Sequence, residues 1–294
     1  MRILAIGNIF ESKSFLVDEF CEKDSEVVAN DVTSRISGAA IVVSAIAAFL
    51  NLEPFLYSKV KEEHSINDML MKLSKVGVNT RLIDINDKEA NILLTIYNAE
   101  LERKCYSYTP NEVLAEDLLK IDFSEFDATF FCCIPFKQIK SIFEKNTSIK
   151  KTKSIILASG LTSPYFEKNK LKVDSDYIFM NRGELLKVFE KQWDGNQGIV
   201  DNCCDELDIG NTILVVTMGK DGVLIKDHDG KITVPVDNKV KIVHPGGAGD
   251  AFSVGFIKGI LYGSNYEECC REGHMCAKKM LSVRGAEELL ERMI

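Results

Sequence analysis

Val243-His244-Pro245-Gly246-Gly247-Ala248-Gly249-Asp250-Ala251-Phe252 is the stretch on which the reading of this chain turns. Val240 to Val243 reads as a strand, glycines follow, and the apolar text from about Gly247 to Leu261 reads as a long helix. A helix start leaves its first N–H groups unpaired and carries the positive end of the helix dipole. Glycines beside it let an anion approach those groups closely. Asp250 falls in the first helical turn, where a carboxylate can take a proton from a hydroxyl during phosphoryl transfer. Taken alone, the same letters also fit a plain glycine turn whose acid favours the helix dipole.

Outward from that turn the chain alternates. Strands are expected at Ala128–Cys133, Ser154–Ala158, Tyr177–Met180 and Thr212–Thr217, and helices at Phe136–Lys145, Gly183–Lys191 and about Gly198–Leu207. Such alternation predicts an α/β fold with a parallel sheet covered on both faces. Gly222–Lys226 and Lys231–Val234 read as a hairpin around Asp229-Gly230, and helical text closes the chain. Toward the N-terminus, Arg2–Gly7 and Pro54–Val60 read as strands, Arg35–Leu50 as a buried helix and Ile66–Val76 as an amphipathic one. Asn8 to Ser34 is polar, with a strand-like piece at Glu26–Ala29. Asn91–Tyr97 and Arg103–Tyr108 read as a hairpin, and Glu112–Leu119 as a helix. No Pro-, Gly- or Ser-rich linker divides the text, so one unit over 1–294 with a small β appendage is expected.

The composition narrows the partners. A net charge of -8 over 294 residues gives nucleic acid no surplus of cations to bind. The apolar run in the first ten residues is too short for a signal peptide. Gly38–Leu50 is too short for a bilayer, which takes about 20 residues. A cytoplasmic protein with no membrane partner is expected. The nine cysteines include three adjacent pairs but no C-x-x-C unit, which favours reduced thiols packed as small hydrophobes. No G-x-G-x-x-G follows the first strand, and no G-x-x-x-x-G-K-[ST] occurs, so dinucleotide and P-loop chemistry are disfavoured.

The glycine segment resembles the second signature of the PfkB, or ribokinase-like, carbohydrate kinase family, usually D-T-x-G-A-G-D-x-F. Gly247-Ala248-Gly249-Asp250 and Phe252 match it. The resemblance implies an anion hole at Gly247, Ala248 and Gly249, and Asp250 as catalytic base. Val215 to Val223 is similar to the family's V-T-x-G-x-x-G strand and turn, which implies ATP contacts at Thr217, Gly219 and Gly222. Asn181-Arg182-Gly183-Glu184 is similar to its N-x-x-E motif, which implies that Asn181 and Glu184 act on Mg²⁺ and phosphate, Glu184 through water. His274 to Ala286 resembles the terminal helical region, which implies that His274 and Ala277 wall the adenine pocket. The implied fold is a ribokinase-like three-layer α/β/α sandwich with a mostly parallel sheet and a small β-sheet lid, built from about 8–34 and 91–108. The implied activity is ATP-dependent phosphorylation of a hydroxyl on a sugar, nucleoside or related small alcohol, with a homodimer through the lid. A nucleotide-binding regulator without sugar kinase activity is the other reading.

Departures fall in the acceptor region and before the glycine turn. His244 and Pro245 stand where the family has Asp and Thr, so the family's monovalent-cation site is not expected here. Of the first signature's Gly-Gly pair and Asn, Gly38 remains and Val42 replaces the Asn. Asn8 follows the first strand, and the family's acceptor-holding Asp corresponds to Glu11 or Ser12. Asn8, Gly38 and Val42 are thus the expected acceptor contacts. Val42 cannot pair with a hydroxyl, and an unpaired buried hydroxyl costs about 1–3 kcal/mol.

Overall fold

The computed structural model describes residues 1–100, 102–157, 175–236 and 240–294. Its strands are β1 (Arg2–Gly7), β2 (Phe10–Leu16), β3 (Asp31–Ser37), β4 (Glu53–Tyr57), β5 (Lys59–Lys61), β6 (Asp84–Asn86), β7 (Ile92–Tyr97), β8 (Arg103–Tyr108), β9 (Ala128–Cys132), β10 (Lys153–Leu157), β11 (Tyr177–Asn181), β12 (Ile213–Thr217), β13 (Val223–Lys226) and β14 (Lys231–Val234). Its helices are α1 (Ala39–Phe49), α2 (His64–Lys75), α3 (Phe136–Lys145), α4 (Arg182–Val188), α5 (Gln197–Glu206), α6 (Ala248–Leu261), α7 (Tyr266–Leu281) and α8 (Ala286–Glu291).

The central sheet runs β14-β13-β12-β11-β10-β9-β1-β4. From β12 to β4 every pairing is parallel, and β13 and β14 add an antiparallel edge. These parallel strands are short, continuous apolar runs because both faces are covered. Alternate residues feed separate cores. Ile3 and Ala5 pack with α1, α6 and α7, while Leu4 and Ile6 pack with α3, α4 and α5. Three layers result. A second sheet, β3-β2-β7-β8, stands apart, and β5 pairs with β6.

Helices α6 and α7 approach closely because glycines line their contact. A Cβ on Gly255 would sit 2.6 Å from the Glu272 carbonyl oxygen, and one on Gly259 2.8 Å from the Cys269 sulfur. Cys203, Cys204, Cys269, Cys270 and Cys276 are buried free thiols, and burial pushes each of them up in pKa, as for small hydrophobes rather than nucleophiles. No helix among the described residues is long and apolar enough to cross a membrane.

Several expectations need correction. The helix expected over Arg35–Leu50 begins only at Ala39, and Arg35–Ser37 belongs to β3. The break is Gly38, with φ of 153°, where a Cβ would meet the Asn8 carbonyl oxygen at 2.5 Å. Glu26–Ala29 forms no strand. Glu112–Leu119 holds only a short 3₁₀ turn at Glu116–Leu118. Its earlier amides are claimed by side chains instead: Val113 N–H donates to Asn8 Oδ1 (2.9 Å) and Leu114 N–H to Asp117 Oδ2 (2.8 Å). Val240–Val243 is not a strand, and Val243 N–H donates to the Leu281 carbonyl. The expected strand at Ser154–Ala158 ends at Leu157, and Ala158 lies outside the described residues.

Candidate active site

Gly247 caps α6 in the left-handed region, with φ of 81°, a conformation that favours glycine. Its absent Cβ would stand 3.1 Å from Val42 Cγ2 and 3.2 Å from Met280 Cε, so α1 presses directly on the turn. Gly249 faces open space, with nothing within 4 Å of an added Cβ. The first-turn amides of Ala248, Gly249 and Asp250 have no helical acceptors. The turn expected at Gly247–Gly249 thus presents unpaired amides at a helix start, a geometry that suits an anion.

Asp250 sits beside this turn, over the end of β9; its charge is felt by the Cys132 thiol. Burial pushes its pKa up to about 6, and the positive charge of Arg103 opposes that shift. Such a carboxylate is ionised at neutral pH yet basic enough to accept a proton. Glu184 lies within electrostatic reach. Its pKa is pushed up to about 7, first by burial and then by the charge of Asp250, against a hydrogen bond from the Asn181 amide and the charge of Arg103. Asn181 ends β11 and opens α4 through a reciprocal cap. Its N–H donates to Glu184 Oε2 (2.7 Å), while Glu184 N–H donates to Asn181 Oδ1 (2.9 Å).

Thr217 ends β12, the strand next to β11. The turn after it closes by a hydrogen bond from Met218 N–H to the Gly222 carbonyl (2.9 Å), with Gly219 and Gly222 at φ of 61° and 93°. Gly222 packs so closely on the Val234 carbonyl that no Cβ fits. Arg182 joins the two motifs, because its Nη1 lies 2.6 Å from Asp221 Oδ2 and its guanidinium stacks 3.7 Å from the Trp193 ring. His274 and Ala277 lie on α7. The His274 ring packs 5.3 Å from Phe252 of α6.

Of the expected acceptor contacts, Asn8 and Gly38 meet through the Asn8 carbonyl. The Asn8 side chain is buried and already bonded to Val113 N–H. Of the alternatives at the family's Asp, the Ser12 hydroxyl is taken up by the Ser37 hydroxyl. Glu11 has a buried oxygen, Oε1, with no hydrogen-bond partner, and its pKa is raised first by a hydrogen bond with Glu63. A cavity of about 430 Å³ lies elsewhere, lined by residues that include Tyr57, Asp84 and Asp117 and by none of the expected site residues.

Three residues escaped the sequence reading. Arg103 projects from β8, a strand whose residues are all exposed, and its charge acts on Asp250, Glu184 and His244. Among the described residues it has no carboxylate within ion-pair distance. Tyr97, its register partner on β7, and Arg35 of β3 both reach His244. No local motif marks any of them; only the pairing of two separate hairpins brings them to the glycine turn.

Comparison with known proteins places the chain and its fold. The family model described as pfkB family carbohydrate kinase matches residues 2–293. A protein of Archaeoglobus fulgidus named as an uncharacterized sugar kinase is 27% identical over 257 residues, covering 83% of this chain and 98% of that one. A nucleoside kinase of Methanocaldococcus jannaschii is 28% identical over 113 residues, covering 38% of this chain and 35% of that one. Among solved structures, a ribokinase from Cryptococcus neoformans in complex with ADP superposes with a TM-score of 0.82 at 16% identity, covering 99% of this chain and 98% of that one. A Burkholderia thailandensis nucleoside kinase in complex with inosine gives 0.76 at 15% identity, covering 100% and 97%. These structures share the ribokinase fold with this chain, and the match over residues 2–293 makes it a member of the pfkB family of carbohydrate kinases.

Proposed function

We propose that this chain transfers the terminal phosphoryl group of ATP to a hydroxyl of a small sugar, nucleoside or related alcohol, with Asp250 as general base. The observation that carries this reading is the juxtaposition at the start of α6: an open glycine turn and, within the same helical turn, a carboxylate whose pKa is raised to about 6. In this reading the amides of Gly247, Ala248 and Gly249 grip the transferring group. Asp250 takes the acceptor proton as the hydroxyl oxygen attacks. ATP lies over Thr217, Gly219 and Gly222, with His274 and Ala277 toward its base. Asn181 and Glu184 fit a hydrated Mg²⁺, because Asn181 ends β11 and Glu184 offers a carboxylate in the first turn of α4, within electrostatic reach of Asp250. The ion would supply charge neutralisation on the phosphates.

Arg103 carries a positive charge from the small sheet to the same place, which supports that sheet as a lid that adds a cation when closed. The acceptor rests against Asn8, Gly38 and Val42. The exposed apolar side chains of the lid, among them Val32, Ile92 and Tyr106, support a homodimer through its outer face. We place the enzyme in the cytoplasm.

Assaying ADP release from Mg–ATP with sugars, sugar acids, nucleosides and polyols tests the reading. Acceptor-dependent turnover with at least one class is expected. Tight ATP binding with no turnover on any class favours the nucleotide-binding regulator, which the substitutions Val42 and His244 motivate.

A further inference from the structure

The segment 243–246 leads into the glycine turn, and the His244 ring folds back over it. Its Nδ1 accepts the Gly246 N–H at 3.0 Å. Gly246 must be bare for this, since a Cβ there would stand 2.6 Å from His244 Cε1. The other edge of the ring meets the small sheet. Nε2 lies 3.1 Å from the Tyr97 hydroxyl and 3.0 Å from Arg35 Nη2, and the Tyr97 ring packs edge-on at 5.4 Å.

The hydrogen-bond network assigns the proton. Because Nδ1 is an acceptor, a neutral ring carries its hydrogen on Nε2 and donates it to Tyr97. Arg35 then cannot donate to Nε2. It donates instead to the Arg284 carbonyl and to the Ser14 hydroxyl (3.3 Å), with its charge left against the ring. Burial, reinforced by the charges of Arg35 and Arg103, pushes the His244 pKa down to about 4, so the ring stays neutral and both bonds persist at neutral pH.

We infer that His244 is a positioning residue joining the small sheet to the glycine turn: Tyr97 of the sheet holds one edge of the ring, and the other edge holds the Gly246 amide that leads into Gly247–Gly249. The inference rests on the reading of that turn as the phosphoryl-gripping element. It makes the geometry of the turn conditional on docking of the sheet, so that an undocked sheet leaves the amides unaligned. The joint uses the two residues, His244 and Gly246, that frame Pro245, which has no N–H of its own to contribute.

Three substitutions separate the two edges. Tyr97→Phe deletes one hydroxyl. His244→Asn keeps an acceptor for Gly246 and loses the edge facing Tyr97. His244→Gln keeps a group facing Tyr97 and loses the Gly246 acceptor. Amide hydrogen exchange of the 243–249 peptide in the free, full-length chain is the readout, and it requires no acceptor or turnover. Tyr97→Phe and His244→Asn should each speed exchange there by about fivefold or more, the double variant no further than either alone, and His244→Gln by at least as much. Peptides of α3 and α5 should keep their wild-type rates, which a general loss of stability would not allow. Wild-type exchange of 243–249 in both Tyr97→Phe and His244→Asn overturns the inference, as does strict additivity of the two. Either outcome is distinct from a failure of the kinase reading, which appears as absent acceptor-dependent ADP release.

Discussion

Around Asp250 the C-terminal half and the small sheet do different kinds of work. The half from β11 to α8 shapes this place with main chain: a glycine turn at a helix start, a reciprocal Asn181–Glu184 cap and a tight Thr217–Gly222 turn. The small sheet meets the same place with side chains, chiefly Arg103, Tyr97 and Arg35. Main-chain sites depend on local letters, because glycine and capping residues dictate backbone shape. Side-chain sites on paired strands depend on register and docking, which are nonlocal.

The substitutions that probe this contrast are ordered by expected effect. Arg103→Gln should lower kcat by about 100-fold or more with little change in acceptor KM, as for a cation that acts on developing charge. Because β8 is exposed, the melting temperature should barely change. A rise in KM at constant kcat would instead assign Arg103 to acceptor binding and sharpen the division between lid and turn.

Below neutrality, kcat/KM should fall about tenfold per pH unit once pH drops under the apparent pKa near 6 contributed by Asp250. Mg²⁺ binding should weaken as pH falls through about 7, where Glu184 takes up a proton. A profile flat to pH 5 would contradict the burial of these carboxylates.

On the main-chain side, Gly38→Ala should destabilise the fold by about 2–3 kcal/mol in chemical denaturation, since φ of 153° and the Asn8 carbonyl both oppose a side chain. A cost under about 0.5 kcal/mol would show that the strand-to-helix break is soft. Smaller still is the effect of removing the buried charge. The Asp250 pKa is higher in the fold than in the unfolded chain, so its contribution to stability is complete below about pH 4 and is lost as pH rises through about 6. Asp250→Asn should therefore raise unfolding free energy at pH 8 by about 1–2 kcal/mol, read as a higher melting temperature.

How much was legible follows the same division. The alternation of apolar strands with helices gave the central sheet from β9 to β12 nearly residue by residue, because both faces of those strands are covered and their text is uniformly apolar. The Asn91–Tyr97 and Arg103–Tyr108 hairpin was also legible, from strand-forming text around Asn98-Ala99-Glu100. Errors arose where side chains took over main-chain partners. Asn8 and Asp117 capture the amides of Val113 and Leu114, so the helical letters at Glu112–Leu119 form little helix. Gly38 divides an apolar run that reads as one helix. Val240–Val243 has strand letters, yet Ile242 and Val243 remain exposed and Val243 bonds to the end of α7 instead of a sheet. In the sequence His244 stands out only as a departure from the family signature; its partners Tyr97 and Arg35 come from hairpins more than 140 residues away in the chain.

Exchanging Asp250 for Asn, with ATP affinity measured alongside turnover, bears most directly on the proposed chemistry. The side chain keeps its size and loses its basicity, so acceptor phosphorylation should fall by about 1,000-fold or more while the dissociation constant for Mg–ATP moves by less than about threefold. Turnover within tenfold of the wild type would contradict the assignment of Asp250 as the base.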